Sequence, residues 1–421
     1  MSNHTARKSR HQVQIEELLA ALPEGAPFVS TAGQVFVTLP AGQTFPLSSP
    51  YVRDWLTNEY IKLHNEPPTE HAVYQAVRIL RAQAHAKPRL LPVDVRIVAR
   101  PKTDHAPATI FIDLANPAGD TVQITPTGWQ IARTLEVAFR TSRGQLPLPP
   151  PEFPNHNDAS QEFLASRLLG FLTSSLLGFL TSSLQPTGPY PVLVLQGPPG
   201  SGKTTTARML RALIDPVTAP IQPLPSRGRE VFQQAVRDRV LVFDHVTRMS
   251  NSVADALCQI SSGTAVTVRE PGDRNREPLR LDIARPVILT TPRCGASDWQ
   301  PRPDLASRIV TVEMPKIEDP RPAAELWAEF ESARPSLLAA LYTALSKSIT
   351  SGTSPVPSTP HAVRSTPHAV RLTARPSFPS PPSQSARTFE PAPESNPPAA
   401  ARSPHEESGL PRSPRQRPPP E

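Results

Sequence analysis

The sequence predicts an α/β domain built on a parallel sheet, preceded by a small α+β module and followed by a proline-rich tail. Between residues 160 and 349, short apolar runs alternate with helical patterns, which is typical of parallel strands joined by crossover helices. The glycine-rich loop GPPGSGKT at 197–204 connects one such run to a helical pattern. Of the 55 prolines, 18 lie in residues 350–421, so we expect this tail to be disordered.

The composition along the chain divides it into five expected segments. They are a disordered basic N-terminus (1–12), an α+β accessory module (13–145), a proline-rich linker (146–160), the parallel-sheet domain with a partial helical lid (161–349), and a disordered tail rich in Pro, Ser and Arg (350–421).

The accessory module is predicted from two kinds of pattern. YVRDWLTNEYIKL and HAVYQAVRILRAQA have helical spacing, whereas VFVTL, VDVRIV, TIFIDL, TVQIT and LEVAF alternate like half-buried strands. A compact mixture of two helices and several short strands is therefore expected before the linker.

Four short apolar runs are expected to form the parallel sheet. They are VLVLQ (192–196), VLVFD (240–244), PVILTT (286–291) and RIVTVEM (308–314). The sequence from Leu326 to Ile349 predicts a terminal pair of helices, with a break at Pro335.

Charge and cysteine content narrow the function classes only slightly. The formal net charge of +7 comes mostly from the two ends of the chain, so it neither supports nor excludes DNA binding by the middle. The two cysteines, Cys258 and Cys294, are too few for a disulfide framework. We find no secretion signal and expect a cytoplasmic protein.

A membrane anchor is the alternative raised by the uncharged segment 168–184. This segment contains a tandem copy of LLGFLTSS, holds six Ser or Thr residues, and is at the short limit for crossing a bilayer. We therefore expect no membrane span.

The loop at 197–204 has the pattern of a phosphate-binding P-loop. Its glycines allow a tight turn in which backbone N–H groups converge on phosphate at a helix N-terminus. In this pattern Lys203 reaches the β and γ phosphates of a nucleotide, and Thr204 supplies a hydroxyl to Mg²⁺. The expected ligands are thus ATP and Mg²⁺, and the expected nucleotide-binding residues are Gly197, Pro198, Pro199, Gly200, Ser201, Gly202, Lys203, Thr204 and Thr205.

The second part of the expected nucleotide site is an acid, Asp244, which ends the apolar run VLVFD. An acid at the end of a strand near a P-loop holds Mg²⁺ through water, so Asp244 is both a catalytic and a metal-binding candidate. The next residue is His245, where many ATPases have a glutamate that activates water. Slow hydrolysis, or a base from elsewhere, is left open.

A β-hairpin is predicted where TAVTV and PLRLDI flank a polar turn. Arg269, Arg274 and Arg276 cluster at its expected tip. They are candidates for contacts with DNA phosphates, and a solvated hairpin tip is an equally good interpretation.

Two further catalytic candidates follow the hairpin. Thr290 and Thr291 are expected to end a strand beside the Asp244 strand, where Thr290 can sense the γ phosphate or orient water. Arg308 could reach a neighbouring subunit's nucleotide as an arginine finger, with Arg302 as second choice. The alternative for Arg308 is a surface ion pair with Asp304, four residues earlier.

Residues 35–349 resemble the replication ATPases of phages and mobile elements, which are similar to superfamily 3 helicases within the AAA+ class of P-loop NTPases. The resemblance rests on PYPVLVLQGPPGSGKTTTARMLRALIDP, VLVFD, SVADALCQISSGTAVTVRE, ARPVILTTP and RPDLASRIV. It implies a ring, hexameric in type, that grips single-stranded DNA. It also implies that Asp244 is the Walker B acid and that Arg269 lies on the hairpin preceding the sensor strand.

The chain departs from this family at positions that affect hydrolysis. Relatives usually have Asn where this chain has His245 and Thr290, and their helical lid continues beyond Ile349. Two functions are therefore expected as alternatives: a helicase-like motor in DNA replication, or a nucleotide-binding switch or scaffold that hydrolyses ATP weakly and moves no DNA.

Overall fold

The computed structural model describes residues 9–23, 25–103, 108–152, 174–268, 279–292 and 300–351. The helices are α1 (Arg10–Ala20), α2 (Pro50–His64), α3 (Glu70–Ala86), α4 (Ser174–Ser183), α5 (Lys203–Ile214), α6 (Gly228–Ala235), α7 (Asn251–Ser262), α8 (Pro303–Ala306) and α9 (Ala323–Ser351). The strands of the N-terminal part are β1 (Pro27–Ser30), β2 (Val35–Thr38), β3 (Thr44–Pro46), β4 (Leu90–Leu91), β5 (Val93–Asp94), β6 (Ile97–Arg100), β7 (Thr109–Asp113), β8 (Thr121–Thr125), β9 (Gly128–Ala132) and β10 (Ala138–Phe139). The later strands are β11 (Val192–Gly197), β12 (Gln222–Pro223), β13 (Leu241–Asp244), β14 (Thr264–Val268), β15 (Leu279–Ile283), β16 (Val287–Pro292) and β17 (Ile309–Glu313).

The first sheet, of order β3-β2-β1-β4, packs against helices α1, α2 and α3. The two helices predicted for this part are confirmed, and both begin at a side-chain cap: Ser49 accepts from the N–H of Tyr51, and Thr69 accepts from the N–H of Ala72 at 3.2 Å. Such caps satisfy backbone donors that have no partner within the helix.

A second, antiparallel sheet of order β6-β7-β8-β9 shares its core with the C-terminal half of the chain. Its inward residues Ile110, Ile112 and Ile124 belong to the same buried cluster as Leu341 and Leu345 of α9. The predicted strands TIFIDL and TVQIT are confirmed as β7 and β8, whereas VDVRIV is divided into β5 and β6 and LEVAF forms only the two residues of β10. Half of the expected accessory module packs directly on the later domain. The segment boundaries expected from the sequence stay a prediction.

The predicted parallel sheet is confirmed, with strands in the order β12-β13-β16-β11-β17. Every neighbouring pair is parallel, so all five strands end at the same edge. The edge strand β12 has only two residues, one of them a proline, and gave no signal in the sequence.

The three central strands, β11, β13 and β16, are covered on both faces, which explains why they are continuously apolar. Along β11, Leu193 and Leu195 face the cluster that contains α5 and α9, while Val192 and Val194 face the cluster that contains α6 and α7. Alternate residues of a strand point to opposite faces, so a run such as VLVLQ fills both cores at once.

The predicted pair of terminal helices is wrong: α9 is one helix that continues through Pro335. A proline inside a helix costs roughly 3 kcal/mol through a lost hydrogen bond and a clash. After Pro335, however, the buried side chains include Leu337, Leu338, Leu341 and Leu345, each of which stabilises by about 1.5–3 kcal/mol. Burial therefore outweighs the break.

The predicted hairpin is confirmed as the antiparallel pair β14–β15. Its tip, with Arg269, Arg274 and Arg276, lies outside the described residues, as do Cys294 and the proline-rich tail beyond residue 351. The second copy of LLGFLTSS forms most of α4, which buries Leu176, Phe179 and Leu180 in the core. In the described ranges, no helix is long and apolar enough to cross a membrane.

Candidate functional site

The loop at 197–204 joins the end of β11 to the first residue of α5, as the sequence predicts. Gly200 and Gly202 have φ angles of +78° and +79°, a backbone conformation that side chains disfavour. Gly197 is required for a different reason, because a Cβ there would lie 2.2 Å from the carbonyl oxygen of Met314. The sequence of the loop is thus dictated by its backbone path.

Lys203 folds back over this loop. Its Nζ donates to the carbonyl oxygens of Gly197 and Pro198, both at 2.8 Å, and to Ser201 Oγ at 3.2 Å. These partners are weak neutral acceptors, and an anion at the loop would offer the ammonium group stronger, charge-assisted bonds. Lys203 therefore lies where it can exchange carbonyls for phosphate oxygens.

Three predicted residues from three elements meet at the edge of the sheet. Asp244 Oδ1, at the end of β13, accepts from Thr204 Oγ1 at 3.0 Å and from Thr290 Oγ1 at 2.5 Å. Thr290 Oγ1 in turn accepts from the backbone N–H of His245 at 2.8 Å. The expectation that the Thr290 strand lies beside the Asp244 strand is confirmed by the parallel pairing of β13 and β16.

His245 has left-handed backbone with φ of +56°, and its side chain is exposed. Such a φ is uncommon for a residue other than glycine and is held here by the bond from its N–H to Thr290. His245 therefore follows Asp244 with its ring directed away from the buried strands.

Two residues near the loop gave no signal in the sequence. After β17, the N–H of Met314 donates to Gln196 O at 2.8 Å, and the N–H of Ile317 donates to Gly200 O at 3.3 Å. The segment 314–317 thus packs along the loop at 197–204, although it lies more than a hundred residues later in the chain. Only the fold brings these segments together.

Arg308 lies at the end of the sheet where the parallel strands begin, whereas the loop lies at the end where they finish. The carbonyl of Arg308 accepts from the N–H of Val192, the first residue of β11, whereas the loop starts at Gly197. At about 3.3 Å per residue, the two ends are roughly 16 Å apart. Arg308 is half-buried, and its guanidinium donates to Ser262 Oγ at 3.0 Å and to the backbone oxygen of Asp304.

The ion pair expected as the alternative for Arg308 is made by Arg302 instead. Arg302 donates to the carboxylates of Asp255, at 2.8 Å, and Asp304. The hydrogen bond from Arg302 holds the pKa of the Asp304 carboxyl below its usual range. Asp304 thus offers Arg308 its backbone oxygen, while its side chain binds Arg302.

Comparison with known proteins finds a family match over residues 168–368, to the replication protein of actinomycete integrative conjugative elements. The predicted resemblance to replication proteins of mobile elements is confirmed over this segment, which is just under half of the chain. No curated protein matches.

Among solved structures, the apo C-terminal region of NrS-1 is 10% identical with a TM-score of 0.41, covering 80% of this chain and 74% of that one. The JCV helicase bound to a substituted N-phenylacetamide compound is 14% identical with a TM-score of 0.29, covering 44% of this chain and 54% of that one. At these TM-scores the likeness assigns no function to this chain.

Proposed function

From the relation of residues 168–368 to replication proteins of mobile elements, we propose that the chain is a Mg²⁺-dependent ATPase of the AAA+ class, acting as a helicase-like motor on single-stranded DNA. One observation carries the proposal. The Thr204 hydroxyl, the Asp244 carboxylate and the Lys203 ammonium come from three positions around one loop, at the edge where parallel strands end. Ligands bind at this edge in open α/β sheets.

The donor set fits a magnesium ion. Thr204 Oγ1 and Asp244 Oδ1 lie 3.0 Å apart. Carboxylate and hydroxyl oxygens are hard ligands of the kind that Mg²⁺ binds. When bound, the ion would neutralise charge on the phosphate oxygens as the terminal phosphoryl group leaves. Thr204 would hold it directly and Asp244 through water.

The remaining residues of the loop act on the phosphates. The backbone N–H groups from Gly200 to Thr205 would surround the phosphate chain at the N-terminus of α5, where the helix dipole favours an anion. Lys203 would leave the carbonyls of Gly197 and Pro198 and bind the β and γ phosphates. Thr290 would fix Asp244 in one orientation throughout.

Arg308 would serve a neighbouring subunit. Arg308 lies at the end of the sheet where the strands begin, and its own loop lies at the other end. Its side chain therefore cannot reach phosphates bound at its own loop. A ring in which each Arg308 faces the next subunit's γ phosphate gives this arginine a function. The ring, of hexameric type, is accordingly part of the proposal, and so are Arg269, Arg274 and Arg276 as contacts for DNA within it.

The second candidate function is a nucleotide-dependent switch. The specific observation in its favour is His245, which occupies the position after the Walker B acid with an exposed ring and a left-handed backbone. A side chain in that conformation is poorly directed for activating a water molecule beside Asp244. A protein with this site would bind ATP and release it largely unhydrolysed.

DNA-stimulated ATP hydrolysis by the purified full chain separates the two functions. The motor is expected to hydrolyse ATP faster with single-stranded DNA present, and Asp244→Asn should abolish this rate while leaving ATP bound. The matched control is Asp54→Asn, which removes an exposed carboxylate on α2, outside the site. If ATP binds but hydrolysis stays at background with and without DNA, the switch is correct and the motor is wrong.

A further inference from the structure

A groove of about 1340 Å³ runs across the N-terminal part of the chain, away from the phosphate loop. One wall comes from β1 to β3 and the start of α2, and the other from the turn after β7 and the segment 134–145. The two walls are joined where Thr44 and Thr141 exchange hydrogen bonds of 2.8 and 3.0 Å. The groove is therefore part of the folded structure and has a fixed width at this point.

The lining of this groove is strongly basic. It includes Arg89, Arg143 and Arg237, which are exposed, and Arg140, which is half-buried. Among the described lining residues the one acid is Asp113, and burial raises the pKa of its carboxyl. Four arginines against one carboxyl give a positive potential that attracts a polyanion.

Arg237 extends the basic lining into the parallel-sheet domain. It follows α6, and its backbone oxygen accepts from Ser142 Oγ, so the two parts of the chain meet at this end of the groove. A long ligand in the groove would contact both parts at once.

Aromatic and apolar groups also line this groove. The rings of Phe45 and Tyr51 pack with their centroids 4.4 Å apart, and both residues line the groove. Tyr51 is 43% exposed and Leu135, also in the lining, is 79% exposed. A groove that contains both exposed aromatic rings and arginines has the features on which unpaired bases stack while phosphates are neutralised.

We propose that this groove is a second nucleic-acid site, which binds single-stranded DNA or RNA through Arg143 and Arg237 on its phosphates and Tyr51 on a base. Unpaired strands are favoured over a duplex because the aromatic pair can stack only on bases whose faces are free. The site requires neither ATP binding nor hydrolysis, so it stands independently of the proposed motor.

The test is fluorescence anisotropy of the full chain with a labelled oligonucleotide of 20 thymidines, a 20-mer of uridines, and a duplex of the same length. Arg143→Ala/Arg237→Ala should weaken single-strand binding about tenfold and lower the salt slope by about 1.4, since each phosphate contact on a single strand contributes roughly 0.7. Tyr51→Ala should weaken it about 5- to 150-fold, and Tyr51→Phe should bind like the parent.

Lys62→Ala/Arg78→Ala is the matched control, because it removes the same charge from α2 and α3 outside the groove. It should bind like the parent, and every variant should keep the parental thermal midpoint and ATP affinity. Any of four results overturns the proposal. In the first two, the control loses as much affinity as the Arg143→Ala/Arg237→Ala protein, or that protein binds as tightly as the parent. In the other two, the parent binds the duplex more tightly than the single strand, or binds neither. Loss of binding that occurs only in Arg274→Ala/Arg276→Ala, whose positions follow β14 in the sequence, overturns the proposal as well. If the parent binds the oligonucleotide in the groove but binds no ATP, the groove proposal stands and only the proposed motor function is wrong.

Discussion

Thr290 Oγ1 lies 2.5 Å from Asp244 Oδ1, so the hydroxyl of one parallel strand fixes the carboxylate at the end of its neighbour. The same hydroxyl oxygen accepts from the N–H of His245, which ties the residue after the acid to the same point. Thr290 is buried, and the carboxylate that it holds is the one that also contacts Thr204 of the phosphate loop. In the proposed ATPase, Thr290 would therefore be a positioning residue.

Thr290→Val should reduce ATP hydrolysis while leaving ATP affinity close to the parental value. The substitution keeps the shape but removes a hydrogen bond to a charged group, worth about 1.5–3 kcal/mol, or roughly 10- to 150-fold in rate. Steady-state kinetics would measure kcat and KM separately. Thr291→Val is the control, since adjacent strand residues point to opposite faces. Equal effects of the two variants would contradict the assigned role.

Arg308→Ala should lose hydrolysis but keep ATP binding, because an arginine finger stabilises transition-state charge. Arg302→Ala is the control, since Arg302 is paired with Asp255 and Asp304 on its own subunit. Mixing Arg308→Ala with Lys203→Ala subunits should restore some activity, at interfaces that combine an intact loop with an intact arginine. If Arg308→Ala protein hydrolyses ATP at the parental rate, Arg308 is not an arginine finger and the argument for a ring fails.

Much of the parallel-sheet domain could be predicted from the sequence because its three central strands, β11, β13 and β16, are short, apolar and buried on both faces. That Thr204, Asp244 and Thr290 lie together could also be predicted, because the loop and the ends of two buried strands meet on the same side of a parallel sheet; their roles in nucleotide binding stay a prediction. The contacts of Met314 and Ile317 could not be found, because backbone contacts between distant segments leave no residue pattern. The groove was missed for the same reason: Tyr51, Arg143 and Arg237 converge only after folding.

Pro335 shows how tertiary packing overrides a local rule. The proline predicts a break, but the leucines that follow it are buried against two sheets, and their burial keeps the helix continuous. Local propensity is a weak guide where one side of a helix is fully buried.

Arg96 and Asp215 form a fully buried ion pair between β5–β6 and the C-terminal end of α5, with Nε 3.0 Å from Oδ1. Arg96→Met would leave the carboxylate of Asp215 buried without this partner, and we expect a loss of about 3–5 kcal/mol in the free energy of unfolding. Urea denaturation would measure it. Arg10→Met breaks the exposed pair with Glu66 and should cost less than about 1 kcal/mol. Similar costs for both would show that burial does not set the strength of the pair.

Asp113 should make stability depend on pH in the direction opposite to most carboxylates. Burial raises the pKa of its carboxyl, with Arg96 acting the other way, so the folded chain holds this proton to higher pH than the unfolded chain does. Stability that is present below the unfolded pKa, about 4, is therefore lost as pH rises through the folded pKa.

The free energy of unfolding of Asp113→Asn, relative to that of the parent, should accordingly rise as the pH increases above about 4. Thermal unfolding of both proteins across this range would measure the difference, with Asp54→Asn on the exposed side of α2 as a control for loss of a carboxyl. A difference that shrinks with rising pH would contradict the assignment.

The most direct measurement is a calorimetric titration of the full chain with ATP in the presence of Mg²⁺. Lys203 is the residue that the loop holds through Gly197 O and Pro198 O, and the account requires it to transfer to the nucleotide. The parent should bind ATP, Arg208→Ala on the exposed face of the same helix should bind equally, and Lys203→Ala should bind none. If Lys203→Ala binds ATP with parental affinity, the loop does not hold the nucleotide and the proposed function is wrong.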